Sequence, residues 1–178
     1  MEKNNDVNQS NFWENRYKKE EIGWDLGAET PVFTALSDTL DLGKVCILGC
    51  GNGYDAILFS KKGFSVTAVD FAETPINNLE TNARSLSLSI ETIKKDIFDL
   101  TPDYLSQFDY IIEQTCFCAI DPLKREQYSN LVCDLLKVGG KLIGLWMPLD
   151  KDIDEGGPPF GVKEDEIKML FSNKWKIT

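Results

Sequence analysis

Three glycines spaced two apart, Gly49, Gly51 and Gly53, interrupt the run VCILGCGNGYDAILF at residues 45–59. A glycine turn between an apolar strand and a helix brings backbone close to a ligand, and the spacing says which ligand. In the arrangement G-x-G-x-x-G the third glycine lets a helix pack tightly and offer its N-terminus to the pyrophosphate of a dinucleotide. Here that position is Tyr54, which would obstruct the packing. The other reading is a turn lying under a nucleoside that carries no phosphate. The next apolar run, VTAVD, ends in Asp70, twenty-one residues after Gly49. A carboxylate there can accept both hydroxyls of a ribose. Asp70 suits either cofactor, and alone it reads equally as a helix cap or turn residue.

These residues need elements to hold them. Runs rich in β-branched and aromatic residues occur at 44–50, 64–71, 90–98, 108–117 and 141–148, and weakly at 174–178. Helix-like stretches lie between most of them, at 55–63, 73–86, 122–140 and 163–171. Strand alternating with helix predicts an α/β fold, doubly wound, with a mostly parallel sheet and helices on both faces. Lys137-Val138-Gly139-Gly140 is expected to end a helix, because glycine accepts the left-handed conformation that closes a last turn. Two glycines and two prolines in Asp154-Glu155-Gly156-Gly157-Pro158-Pro159 predict an irregular loop over the sheet's carboxyl edge. At 178 residues and 42% hydrophobic, the chain is expected to form a single domain: a segment at 1–35 followed by a core at 44–178.

The G-x-G-x-G spacing after an apolar strand is similar to motif I of the class I methyltransferases, whose backbone passes under the amino-acid portion of S-adenosylmethionine. In that superfamily an acidic residue followed by an apolar one meets adenine, and this chain has Lys95-Asp96-Ile97-Phe98 at the end of its third strand-like run. From about Phe12 to Phe171 the chain resembles a narrower group, the thiopurine S-methyltransferase-like family, and within it the halide, thiocyanate and thiol methyltransferases. The resemblance is carried by Phe12-Trp13-Glu14-Asn15-Arg16-Tyr17, Gly23-Trp24-Asp25-Leu26-Gly27, Thr30-Pro31, Gly53-Tyr54-Asp55, Phe117-Cys118-Ala119-Ile120 and Pro148-Leu149-Asp150 through Phe160. Ile47 stands two positions before the first glycine, where the wider superfamily has an acid, as is usual in that family.

The resemblance implies a Rossmann-like methyltransferase fold with S-adenosylmethionine as cofactor. It gives Trp13, Tyr17 and Trp24 to an N-terminal aromatic lid over cofactor and substrate, Asp70 to the ribose, Asp96 and Ile97 to adenine, and Glu113 to the methionyl end. Aromatic faces suit a sulfonium, whose positive charge they attract. Gln114 and Met147 depart from the family pattern at positions expected to face the acceptor. The sheets of such enzymes end in two further strands, one antiparallel, and this sequence offers only the first, which leaves two readings: an unprotected edge open to pairing, or a sequence shorter than the natural protein.

Composition bounds the partners. There are 29 acidic and 19 basic residues, a net charge of −10, and the basic residues are dispersed, which disfavours nucleic acid. The apolar runs are strand-sized and the N-terminus lacks the order of a secretory signal, so a cytoplasmic protein without membrane contact is expected. Gly157-Pro158-Pro159-Phe160 looks like the motif of enzymes that methylate flipped bases, but it follows the fifth strand rather than the fourth. The five cysteines are odd in number and mostly sit in or beside apolar runs, which reads as reduced thiols with no metal site. The chain has no histidine. In-line methyl transfer to a small soft nucleophile needs none, because a thiol of pKa about 8.5 is already partly ionised near neutrality. The expected function is therefore methyl transfer to a thiol, sulfide, thiocyanate, halide or thiopurine-like acceptor, with no catalytic base. A selenium or tellurium oxyanion as acceptor, a non-enzymatic cofactor-binding module and an NAD-dependent oxidoreductase are the alternatives.

Overall fold

The computed structural model describes residues 6–172 together with 175 and 176. Five strands, β1 (Lys44–Leu48), β2 (Ser65–Asp70), β3 (Ile90–Lys94), β4 (Phe108–Gln114) and β5 (Leu136–Leu145), form one sheet in the order β3-β2-β1-β4-β5. Every pairing is parallel. Side chains alternate between two buried layers, as the period of a strand requires. Val45, Ile47, Tyr110 and Ile112 face one layer, which is completed by helices α2 (Pro31–Ser37), α3 (Tyr54–Lys61) and α4 (Glu73–Ser85). Cys46, Leu48 and Ile111 face the other, beneath α6 (Arg125–Leu135) and α7 (Glu164–Phe171). Fully buried aromatics such as Phe33 and Phe59 anchor the first layer. Each contributes about 1.5–3 kcal/mol by leaving water.

Helices α3 and α7 carry acids in the first turn and bases in the last. Asp55 lies in the first turn of α3 and Lys61 in its last; Glu164, Asp165 and Glu166 open α7 and Lys168 lies in its last turn. Both patterns complement the helix dipole. A four-residue helix, α5 (Thr101–Tyr104), leads into β4. Like α5, two longer helices arise outside the stretches the sequence marks as helical: α1 (Ser10–Lys18) and α2, which starts on Pro31 at a position where its missing N–H costs nothing.

Several boundaries differ from the sequence reading. The helix expected to reach Gly140 stops at Leu135, and residues 136–140 form an irregular start to β5. Phe108 pairs with Leu136 but Tyr110 with Lys141, so the intervening residues bulge opposite Asp109. Asp109 holds the bulge by accepting from Lys137 Nζ at 2.8 Å and from the amide of Lys44 at 2.8 Å. Gly139 does take the left-handed conformation, φ 82°, but inside this bulge rather than at a helix end. The third strand stops at Lys94, because Asp96 accepts the amide of Phe98 and starts a 3₁₀ turn at Ile97–Asp99. The fourth stops at Gln114. In the glycine-proline stretch, Asp154 and Glu155 belong to a 3₁₀ turn, Ile153–Glu155. Of the weak strand at 174–178, Trp175 and Lys176 are in no strand, and 174, 177 and 178 lie outside the described residues.

Candidate active site

The strand order reverses its direction of growth between β1 and β4, so the segments leaving their carboxyl ends part and open a crevice. A cavity of about 640 Å³ lies there, lined by residues that follow each of the five strands and by residues of the N-terminal segment. The turn after β1 forms its floor. Gly51 has φ 53°, and a Cβ on it would sit 3.0 Å from the Tyr17 hydroxyl. Gly49 is similarly confined: its Cβ would lie 2.9 Å from Cys116 Sγ. Side chains at either position would fill the cradle in which a ligand's backbone-hugging part must lie. Gly53 does different work. It precedes α3 with φ 81°, the Leu79 side chain occupies the space a Cβ would take, and it does not line the cavity.

Asp70 ends β2 at the cavity wall and is 7% exposed. The amide of Gly51 donates to its Oδ2 at 3.1 Å and the amide of Ala72 to its Oδ1 at 2.9 Å. Burial pushes its pKa up to about 6 against the pull of those amides. The carboxylate is therefore fixed in orientation, with lone pairs left over for further donors. Beyond β3, Asp96 and Ile97 line the cavity beside Phe98.

The N-terminal segment closes the opposite side with aromatic rings. Trp13 and Trp24 meet edge to face at 5.5 Å, and Tyr17 and Trp24 at 5.8 Å. Trp24 Nε1 donates to the Tyr17 hydroxyl at 3.4 Å and Trp13 Nε1 to the carbonyl of Val7 at 2.8 Å. Three polar links dock this segment on the core. The Glu14 carboxylate accepts the amides of Glu73 and Thr74 at the start of α4, Asp25 accepts from the Asn52 side chain, and Asp55 accepts from the amide and hydroxyl of Thr30.

After β4, Gln114, Thr115, Cys116 and Cys118 line the cavity, and after β5 Met147, Pro148, Pro158 and Pro159 do so. Burial pushes the thiols of Cys50 and Cys116 far up and that of Cys118 up to about 12. They are neutral at physiological pH and unsuited to act as nucleophiles. Glu113 is fully buried on the α6 side of β4 and does not line the cavity. Its Oε2 accepts the amides of Cys116 and Phe117 at 2.8 and 3.2 Å.

Residues 8–178 match the model of the family described as thiopurine S-methyltransferase. The chain belongs to that family. It is 32% identical over 168 residues to a probable thiol methyltransferase 2 of Arabidopsis thaliana, covering 92% of this chain and 73% of the relative. The curated relatives are longer, and this methyltransferase spans between 66% and 86% of their lengths. Among solved structures, one reported for the conversion of a disulfide bond into a thioacetal group during echinomycin biosynthesis superposes with a TM-score of 0.81. It is 24% identical, covering 94% of this chain and 80% of its own. The 1,6-didemethyltoxoflavin-N1-methyltransferase of Burkholderia thailandensis, solved with S-adenosylhomocysteine, superposes at 0.74 with 20% identity, covering 92% and 74%. These likenesses show the class I methyltransferase fold. The family makes the chain an enzyme that uses S-adenosylmethionine to methylate a small molecule.

The methyltransferase fold brings Trp13, Tyr17, Trp24, Gly49, Gly51, Asp70, Asp96, Ile97, Gln114 and Met147 around one cavity and leaves Gly53 and Glu113 outside its lining. Three residues that shape it have no signal of their own in the sequence: Glu14, Asn52 and Asp55. Their partners are 60, 27 and 25 residues away, so only the family motifs single out Glu14 and Asp55, and Asn52 falls between two motif pieces. Among the described residues no helix is long and apolar enough to cross a membrane, and no cluster of side chains is arranged to hold a metal.

Proposed function

We propose that this methyltransferase acts on the thiol of a small, uncharged molecule. The observation that carries the reading is the composition of the cavity's far wall. Gln114 through Ile120, with Met147, Pro148, Pro158 and Pro159, contributes neither a carboxylate nor a cationic side chain. Each cation that lines the cavity has a partner of its own. Lys95 pairs with Asp103 at 2.9 Å, Lys124 Nζ lies 5.2 Å from the centre of the Phe98 ring, and the Arg16 guanidinium lies 4.5 Å from that of Phe12. For any anionic acceptor the cofactor's sulfonium would be the counter-charge; the wall itself discriminates by the apolar surface it can bury, which an aryl or alkyl thiolate brings and a thiocyanate or halide ion does not. Relatives are named for both acceptors, thiol and thiocyanate, so the wall and not the names carries the choice.

The cavity has the features S-adenosylmethionine needs. Gly49 and Gly51 leave room for its methionyl part, Asp70 would accept the ribose hydroxyls, and Asp96 and Ile97 would hold adenine. When bound, the cofactor supplies an electrophilic methyl group on a cationic sulfur. The chain's own contribution is alignment and exclusion of water. Trp13, Tyr17 and Trp24 act as a lid whose rings attract positive charge. No side chain is assigned as a base. The acceptor's proton goes to solvent before the sulfur enters the cavity, in line with a thiol pKa of about 8.5.

Competition between thiophenol, thiocyanate and iodide, with methylated products counted by mass spectrometry, tests the proposal. Thiophenol is expected to give at least about tenfold more product per unit concentration, a preference of about 1.4 kcal/mol. Equal or greater methylation of either anion would refute it.

A further inference from the structure

Thr115, the first residue after β4, has φ 60°. That is the left-handed region, where a β-branched side chain is an outlier that its surroundings must enforce. The Thr115 amide donates to the Leu145 carbonyl at 3.3 Å and its hydroxyl to the Gln114 carbonyl at 2.7 Å, and the residues that follow it are held by Glu113. Its Oε2 accepts the amides of both Cys116 and Phe117, closing a turn whose first residue is Thr115. The turn carries weight beyond itself. Cys118 Sγ donates to the Thr115 carbonyl at 3.1 Å, and the Cys118 carbonyl accepts the amide of Phe160 at 2.7 Å. Phe160 directly follows Pro158 and Pro159, so the two stretches of the far wall meet through this turn.

The sheet is shaped to house that carboxylate. Glu113 pairs in register with Gly144, and a Cβ on Gly144 would run into the Trp146 indole. Without one, the indole folds back over the strand toward Glu113. Burial raises the Glu113 pKa to about 7 against the pull of the Phe117 and Cys116 amides and of Trp146 Nε1. Trp146 Nε1, the Tyr128 hydroxyl and Glu113 Oε1 are buried without a hydrogen-bond partner of good geometry among the described residues. Glu113 lies outside the cavity lining and reaches it through the two amides, its hydrogen-bonded partners among the described residues.

We propose that Glu113 is a positioning residue for the methyl acceptor: by pinning the amides of Cys116 and Phe117 it holds Thr115 in its left-handed conformation and so sets the wall formed by the turn and the diproline loop. This rests on reading that wall as the acceptor's side of the cavity. It replaces the role at the methionyl end that the family resemblance suggests; Cys116 also borders Gly49 in the glycine turn, and the effect of Glu113 is expected to fall on the acceptor first.

The test compares wild-type enzyme with E113A, E113Q and the double variant E113A/T115G. Thiophenol KM and kcat, calorimetric affinity for S-adenosylhomocysteine, and amide exchange at Cys116 and Phe117 by NMR are measured for each. In E113A the two amides lose protection and thiophenol KM rises about tenfold or more, while cofactor affinity changes less than about twofold. Glycine at 115 occupies the left-handed region unaided, so the double variant recovers much of the lost KM. E113Q keeps an acceptor oxygen without its charge and falls between; should E113A not fold, E113Q carries the comparison alone, with weakened amide protection and raised KM. Unchanged KM with unprotected amides, an equal loss of cofactor affinity, or no recovery on adding T115G would overturn the proposal. Failure of wild-type enzyme to methylate thiophenol strikes instead at the acceptor reading, and the NMR arm still decides whether Glu113 organises the turn.

Discussion

Glu14, in the first helix, caps the fourth helix through Thr74: the Thr74 amide donates to Glu14 Oε2 at 2.9 Å and the Thr74 hydroxyl to Oε1 at 2.7 Å. The Glu73 amide adds a third bond at 2.9 Å, and Lys18 pairs with the same carboxylate at 3.1 Å. A carboxylate at a helix N-terminus satisfies orphan amides and opposes the dipole. Here the capping group belongs to another helix, so one contact stabilises α4 and also docks the aromatic segment over the cavity.

Replacing Glu14 with Gln should cost about 1–2 kcal/mol of stability near neutral pH, the usual range for a lost cap. Burial alone would raise the Glu14 pKa, but the bonds from Thr74 and Lys18 outweigh it and bring it down to about 2. A depressed folded-state pKa means the stabilisation is present above the ordinary value of 4.5 and is lost as pH falls toward 2. Urea unfolding of wild-type and E14Q protein should therefore differ more at pH 6 than at pH 3. A gap that stayed constant would show that ionised Glu14 does not carry the contact.

Gly51 and Gly53 should respond differently to alanine. Both have positive φ, which costs an L-residue about 1–2 kcal/mol. At Gly53 the new methyl also meets Leu79 in the packed interior, so G53A should lose about 2–4 kcal/mol of stability in urea unfolding. At Gly51 it meets only the Tyr17 hydroxyl, so G51A should lose less stability but weaken cofactor binding, and adding Y17F should recover part of that affinity. Equal stability losses for the two variants would contradict this division between cavity floor and helix packing.

Asp70 makes cofactor affinity depend on pH. Burial raises its pKa to about 6, so the free protein holds a proton there below that value. A ribose hydroxyl donates well to a carboxylate and poorly to a carboxyl group. S-adenosylhomocysteine affinity should fall as pH drops through about 6 in the wild type, and the profile should flatten in D70N. A wild-type profile already flat between pH 5 and 7.5 would exclude Asp70 as the titrating acceptor.

How much of this was legible in the sequence follows from the range of each signal. The glycine turn, Asp70 and Asp96 stand just beyond strand ends, so once the family resemblance supplies their roles, a parallel sheet brings them together at one edge. The strand-helix alternation gave the parallel sheet for a local reason. Lys137-Val138-Gly139-Gly140 misled because glycine permits a left-handed residue in a helix cap and in a bulge alike; Asp109, on a neighbouring strand, decides between them. The N-terminal helix was hidden because the partners of its motif residues lie far along the chain, as with Glu14 and Thr74. Glu113 shows the limit most clearly. Alternation places it with Ile111 rather than Ile112, but no local pattern says which face of β4 borders the cavity, and the backbone turn it holds is visible only in three dimensions.

That the cavity between the glycine turn and Asp70 is the seat of the methyl donor is tested most directly by calorimetric titration of wild-type and D70A protein with S-adenosylhomocysteine at pH 7.5. Loss of two charge-assisted hydrogen bonds predicts weaker binding by about 2–4 kcal/mol, with the D70A protein still folded. Equal affinity in the two proteins would contradict the assignment of the site.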